Sequence, residues 1–103
     1  MVADETCDVS IGKAKQQRFY VYILYSLRDK GWYIGFTTNL KHRLIEHTSG
    51  KVTATRFRTP LKLIHYEYFI NKADAKARER FLKSGYGRQQ IKAFLKQTIH
   101  ELA

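Results

Sequence analysis

The sequence predicts an α/β domain of the α+β kind, a three-stranded antiparallel sheet flanked by three to four helices, on the strength of three observations. Three short runs, 19–25, 32–36 and 61–70, are dense in aromatic and β-branched residues, the composition that suits a pleated, half-buried surface. The first two are separated only by Ser26 to Gly31, a link long enough for a hairpin and too short for the crossover that parallel strands need. The stretches 39–48, 72–84 and 88–102 repeat apolar residues at helical spacing. A chain of 103 residues has material for one core, so residues 18–103 are expected to form a single domain. Residues 1–17 lack a sustained hydrophobic period and are expected to be a disordered lead-in.

From Phe19 to Tyr25 every residue is aromatic, β-branched or leucine, which predicts a strand covered on both faces. Asp29 and Gly31 mark a turn, and Trp32 to Phe36 returns as the second strand, so Tyr22 and Tyr33 are expected near each other. Thr37, Thr38 or Asn39 can cap a helix over about 39–48; Leu40, Leu44 and His47 or Thr48 recur along it, and Ser49-Gly50 closes it. Lys51 to Pro60 is polar and basic and reads as a surface loop. In the third strand Ile64, Tyr66, Tyr68 and Ile70 alternate with Leu63, His65, Glu67 and Phe69. The helix over 72–84 is expected to turn Ala73, Ala77 and Phe81 inward. Gly85-Tyr86-Gly87 reads as a break, after which Ile91, Phe94, Leu95, Thr98 and Leu102 form the stripe of a last helix.

Charge narrows the function. Lys and Arg number 19 against 9 Asp and Glu, and because residues 1–17 carry a net of −1, residues 18–103 carry +11. That concentration favours a polyanionic partner, since each phosphate neutralised releases counterions. An anionic membrane surface is the weaker candidate: it wants a basic amphipathic helix with a spare apolar face, and the apolar stripes here are needed for a core. No apolar run reaches the roughly 18 residues of a membrane span. Cys7 is the sole cysteine, so neither an intrachain disulfide nor a CxxC metal site is available. The acidic N-terminus has no signal-peptide pattern, and a cytoplasmic location is expected.

Tyr33-Ile34-Gly35 follows Tyr20-Val21-Tyr22, with Tyr33 eleven residues after Tyr22; Arg43 comes ten residues after Tyr33, His47 stands in an R-x3-H pattern, and Glu79 lies in a later helix. In these features residues 19–97 resemble the GIY-YIG endonuclease superfamily, and within it the small stand-alone single-domain members. Tyr22 matches the tyrosine that closes the first motif, while Tyr20 stands where that motif has glycine; no asparagine after Asn71 matches the late asparagine of some branches. The resemblance implies a metal-dependent endonuclease that hydrolyses DNA phosphodiester bonds, with structure-specific work in DNA repair or recombination as a setting. It implies Mg²⁺ or Mn²⁺ as cofactor, DNA rather than RNA as partner, and no small-molecule cofactor. It also implies Tyr22, Tyr33, Arg43 and His47 as the catalytic set, Glu79 as the metal ligand and Gly35 as the glycine of the second motif.

Those residue types suit that chemistry. Phosphodiester hydrolysis needs a deprotonated water in line with the leaving oxygen, positive charge on the non-bridging oxygens and, usually, a divalent cation. Tyr33 is a candidate to position or deprotonate the water, and His47 is the competing base. The planar guanidinium of Arg43 can grip two phosphate oxygens at once. Glu79 offers the hard oxygen ligand that Mg²⁺ or Mn²⁺ prefers. Lys51, Arg56, Arg58 and Lys62 are expected to contact the nucleic-acid backbone. The plainer readings are a solvated helix face for Arg43, Glu46 and His47, and an ordinary surface ion pair for Glu79 with Lys76 and Lys83. The alternative function is a catalytically degenerate nucleic-acid-binding module. An RNA-recognition motif is excluded, because it needs a helix between its aromatic strands and Ser26 to Gly31 cannot hold one.

Overall fold

The structure is a computed structural model that describes residues 17–103; apart from Gln17, the expected disordered lead-in of 1–17 lies outside the described residues. Strand β1 (Phe19–Ser26), strand β2 (Trp32–Thr37), helix α1 (Leu40–Thr48), strand β3 (Leu61–Phe69), helix α2 (Lys72–Lys83), helix α3 (Gly85–Phe94) and helix α4 (Lys96–Leu102) follow in order. The three strands form one antiparallel sheet in the order β2-β1-β3, with four helices around it. This is the expected fold class.

The central strand β1 is buried from Tyr20 onward, as its unbroken apolar composition demands. Its side chains divide by parity. Tyr20, Tyr22 and Leu24 pack with Leu40, flanked by Tyr33, Leu44, Leu61, Leu63, Tyr66 and Tyr68. Val21 and Ile23 pack on the other side with Ile34, Ala75, Leu82, Ile91 and Leu95. Helix α1 therefore covers one face, and α2, α3 and α4 cover the other. In the β1–β2 hairpin Tyr22 lies opposite Gly35 and Leu24 opposite Tyr33, which brings both motif tyrosines to the α1 side.

Asn39 caps α1 by accepting from the His42 amide, and Gly50 adopts the left-handed φ of 77° that ends the helix. Between β1 and β2, Asp29 accepts from the Gly31 amide. The loop 51–60 is tied to that turn: Ser26 donates to the Arg58 carbonyl, the Leu27 amide donates to the Pro60 carbonyl, and Arg58 grips the Asp29 carboxylate.

Three expectations are corrected. In β3 the alternation breaks, because Ile23 faces His65 while Leu24 faces Leu63. Ile64 is the extra residue of a β-bulge, so Leu61, Leu63, Tyr66 and Tyr68 share the α1 side while Ile64 and Phe69 pack with the other core. In α2 the residues expected inward, Ala73, Ala77 and Phe81, are exposed. The inner stripe runs Ala75, Arg78, Glu79, Leu82, with Ala75 and Leu82 fully buried; Arg78 spans to Glu67 on β3, so partnered charges occupy positions that hydrophobicity alone does not mark. Third, Gly85-Tyr86-Gly87 is helical. Ser84 caps α3 through the Gly87 amide, and Gly87 is buried where any Cβ would collide with the backbone of Phe81 and Leu82. Gly87 lets α3 approach α2. The chain breaks instead at Leu95, which splits the single expected last helix into α3 and α4; Ile91, Leu95 and Ile99 line it inward, and Phe94 is exposed.

Candidate active site

The site is built outward from the cross-strand pair Tyr22 and Gly35. A Cβ at position 35 would collide with the phenol end of Tyr22, so the missing side chain of the second motif makes room for the ring of the first. Tyr22 is thereby laid across β2, fully buried. Tyr20, in the position of the first motif's glycine, leans the other way, with its ring 6.1 and 6.3 Å from Tyr66 and Tyr68 of β3, and leaves the space over Gly35 to Tyr22.

Helix α1 lies over this pair. His47 is fully buried, with its ring 5.6 Å from Tyr22 and 5.2 Å from Tyr33. Its Nε2 lies 2.8 Å from the Tyr22 hydroxyl, and its Nδ1 lies 2.7 Å from Thr55 Oγ1. Burial, aided by the positive charge of Arg43, pushes the imidazole down to about 4, so it is neutral near pH 7. A neutral imidazole donates at one nitrogen and accepts at the other, and here both are taken. One turn back on the helix, the Arg43 guanidinium stands beside the Tyr22 phenol and donates to Glu46 at 3.0 Å. Burial pushes the Tyr22 phenol up to about 12, against the opposing pull of that guanidinium. Tyr22 therefore stays protonated as a link between Arg43 and His47.

Tyr33 is placed differently. It is partly exposed, its ring centroid is 6.4 Å from that of Tyr22, and none of the described residues hydrogen-bonds its hydroxyl. Glu79 comes from α2 on the far side of the sheet, near enough for its charge to resist ionisation of the Tyr22 phenol. Its carboxylate meets Lys76 at 3.4 Å and Lys83 at 3.0 Å. Those are the partners of the plain ion-pair reading, yet its side chain is only 12% exposed, far less than an ordinary surface glutamate. Among the described residues no three His, Cys, Asp or Glu side chains gather into a metal cluster.

The structure thus brings Tyr22, Tyr33, Arg43 and His47 together, with Glu79 approaching from α2. Of the expected backbone contacts, Lys51, Arg56 and Lys62 are exposed. Arg58 is engaged: its Nε lies 2.6 Å from Asp29, an interaction that holds the Asp29 carboxyl down at about 2. Thr55 escaped the sequence reading. It sits in a loop that reads as surface, yet it is fully buried against His47, and no periodicity marks a single inward threonine.

Residues 18–92 match the model of the GIY-YIG catalytic domain, and that match spans most of the chain. The chain belongs to the GIY-YIG family. A UPF0213 protein of Clostridium perfringens is 37% identical over 83 residues, which cover 80% of this chain and 88% of that protein. A UPF0213 protein of Natronomonas pharaonis is 46% identical over 66 residues, covering 63% and 76%. The solution NMR structure of a UPF0213 protein from Bacillus halodurans aligns with a TM-score of 0.48 at 35% identity, over 75% of this chain and 84% of that one. A GIY-YIG domain is a nuclease domain, and GIY-YIG nucleases act on DNA and generally use divalent metal ions. The two strands that give the family its name are β1 and β2 here, and the cross-strand fit of Tyr22 over Gly35 joins them. Among the described residues, no helix is long and apolar enough to cross a membrane.

Proposed function

We propose that this GIY-YIG domain is a metal-dependent endonuclease that hydrolyses DNA phosphodiester bonds in repair or recombination, in the cytoplasm. The observation that carries the reading is the contrast between the two tyrosines. Tyr22 is sealed between Arg43 and His47, whereas the Tyr33 hydroxyl beside them remains available to a water. Tyr33 positions that water and, having lost its own proton to bulk solvent, takes up the water's proton and returns to the neutral phenol. Arg43, whose side chain is 34% exposed, donates to the non-bridging oxygens of the scissile phosphate. Tyr22 and His47 touch no solvent, and they act as positioning residues that hold Arg43 and Tyr33 in place.

The donor set fits a small divalent ion. Glu79 would hold it through a hard carboxylate oxygen, and a single protein carboxylate suits Mg²⁺ or Mn²⁺, which keep several waters and bind substrate phosphate. When bound, such an ion neutralises charge that develops on the phosphate. To hold it, the Glu79 carboxylate would exchange its pairing with Lys76 and Lys83.

The test is incubation with nicked, branched, single-stranded and duplex DNA in Mg²⁺ or Mn²⁺. Tyr33→Phe and Arg43→Ala are expected to lower the cleavage rate about 10²- to 10⁴-fold, and Glu79→Ala to abolish metal-dependent cleavage. Cleavage that survives both Tyr33→Phe and Glu79→Ala would sink the assignment. Tight, salt-sensitive binding without cleavage of any substrate would favour the degenerate binding module.

A further inference from the structure

We infer that Phe57 is a stacking platform for an unpaired nucleobase, so that the site takes DNA with unstacked nucleotides beside the bond it cuts. The inference rests on the DNA-nuclease reading and names the substrate class of that same site. Phe57 is 71% exposed. Lone exposed apolar side chains are common and call for no explanation, but this one has particular surroundings. The Arg56 guanidinium stands 4.8 Å from its ring centroid. Its sequence neighbours are Thr53, Thr55, Arg56, Arg58 and Thr59, a basic loop with one aromatic, and Lys51 precedes it. An apolar protein partner would want a contiguous apolar patch, and the loop has none: Val52 and Ala54 are the remaining apolar side chains before Pro60, and Val52 is buried.

The loop is also held in place from both ends. Thr55 is bonded to His47, Arg58 to Asp29 and Ser26 to the Arg58 carbonyl, so the aromatic is presented on a backbone already ordered. Two residues of chain span at most about 7 Å, so Phe57 stands close to the residue that touches His47. A ring displayed beside cations, on the loop that packs against His47, matches how proteins hold single strands: the cations track the backbone and the ring takes a base face. Intact duplex hides its base faces in the stack, whereas a flap, gap or frayed end exposes them. Tyr86 is more exposed, at 78%, but it sits on α3 across the sheet from the site.

The experiment measures binding in a chelator, where cleavage plays no part. One DNA carries a single-stranded flap with 2-aminopurine at its first unpaired position, and the control is an intact duplex of equal length. The wild-type chain is expected to prefer the flap by roughly five- to hundredfold, the range that one stacked base supplies, and to quench the 2-aminopurine. Phe57→Ala and Phe57→Leu lose both the preference and the quenching, and Phe57→Trp keeps them. Thermal melts confirm that the variants are folded. A preference that persists in Phe57→Ala, or a wild-type chain that binds both DNAs alike, overturns the platform. If the Phe57-dependent preference is found but no metal ion supports cleavage, the nuclease reading falls while the platform stands. If wild-type and Phe57→Ala cut flap and duplex DNA at equal rates, the platform falls while the nuclease reading stands.

Discussion

At the scale of single residues, the imidazole of His47 couples stability to pH through its burial, its neighbour Arg43 and the two partners that occupy its nitrogens. Its value in the folded chain, about 4, lies below the ordinary 6.5. Between those two pH values the unfolded chain binds the proton and the folded chain does not, so stability rises with pH across this window and is level above it. The full span is worth up to about 3 kcal/mol. Glu67, held down at about 2 chiefly by its hydrogen bond to His65 and also by Arg78, loses its contribution below about 4.5 as pH falls, which leaves the window above that to His47. Melting curves at pH 4.5 to 7 should therefore rise more steeply with pH for the wild-type chain than for His47→Gln; equal slopes would refute the assignment. Tyr22, Tyr33, Arg43 and Glu79 were legible because they fall in a spaced motif. Thr55 was not, since its burial comes from α1 and the hairpin turn closing over a loop whose composition is that of a surface.

At the scale of elements, the helices were harder to read than the strands. β1 is apolar on both faces and admits one interpretation, whereas the inner stripe of α2 places Arg78 and Glu79 between Ala75 and Leu82. A search for apolar periodicity passes over such a stripe and picks Ala73, Ala77 and Phe81 instead. The bulge at Ile64 is likewise invisible to an alternation count, because both phases of β3 carry apolar side chains, Leu61, Leu63 and Phe69 on one and Ile64, Tyr66 and Tyr68 on the other. The α2–α3 junction offers a clean contrast. Gly87→Ala is expected to destabilise the domain by about 1 to 3 kcal/mol, since its Cβ meets backbone that cannot rotate away. Gly85→Ala, where the added carbon meets open space, should be neutral or slightly stabilising. Urea unfolding of the two variants decides the matter, and equal midpoints would show that α3 does not depend on that close approach.

At the scale of the whole molecule, four of the six described acidic residues are held in ion pairs, and two of those, Asp29 and Glu67, join different elements. Asp29 pairs with Arg58, Glu46 with Arg43, Glu67 with Arg78, and Glu79 with Lys76 and Lys83. The excess positive charge visible in the composition is thus left to other side chains, among them Lys51, Arg56 and Lys62, which have no ion pair among the described residues. Replacing any one of these by Ala should reduce the slope of log affinity for DNA against log salt by about 0.9 if it contacts a phosphate. Arg58→Ala should chiefly lower the melting temperature, because it opens the clamp between the loop and the hairpin turn. A large change in slope without a change in melting temperature would place Arg58 on the DNA instead. The sequence foretold the amount of charge but not its allocation, which depends on contacts between residues as distant as Asp29 and Arg58.

The parity of β1 has a consequence for mutation. Neighbouring positions on one strand face different surroundings: 20, 22 and 24 what lies beneath α1, and 21 and 23 the packing of α2, α3 and α4. A side chain changed in one set leaves the packing partners of the other set in place, so adjacent letters of the sequence can be altered for separate purposes. Position 35 is where the two are tied, because a side chain added there would strike the ring of Tyr22 laid across the sheet.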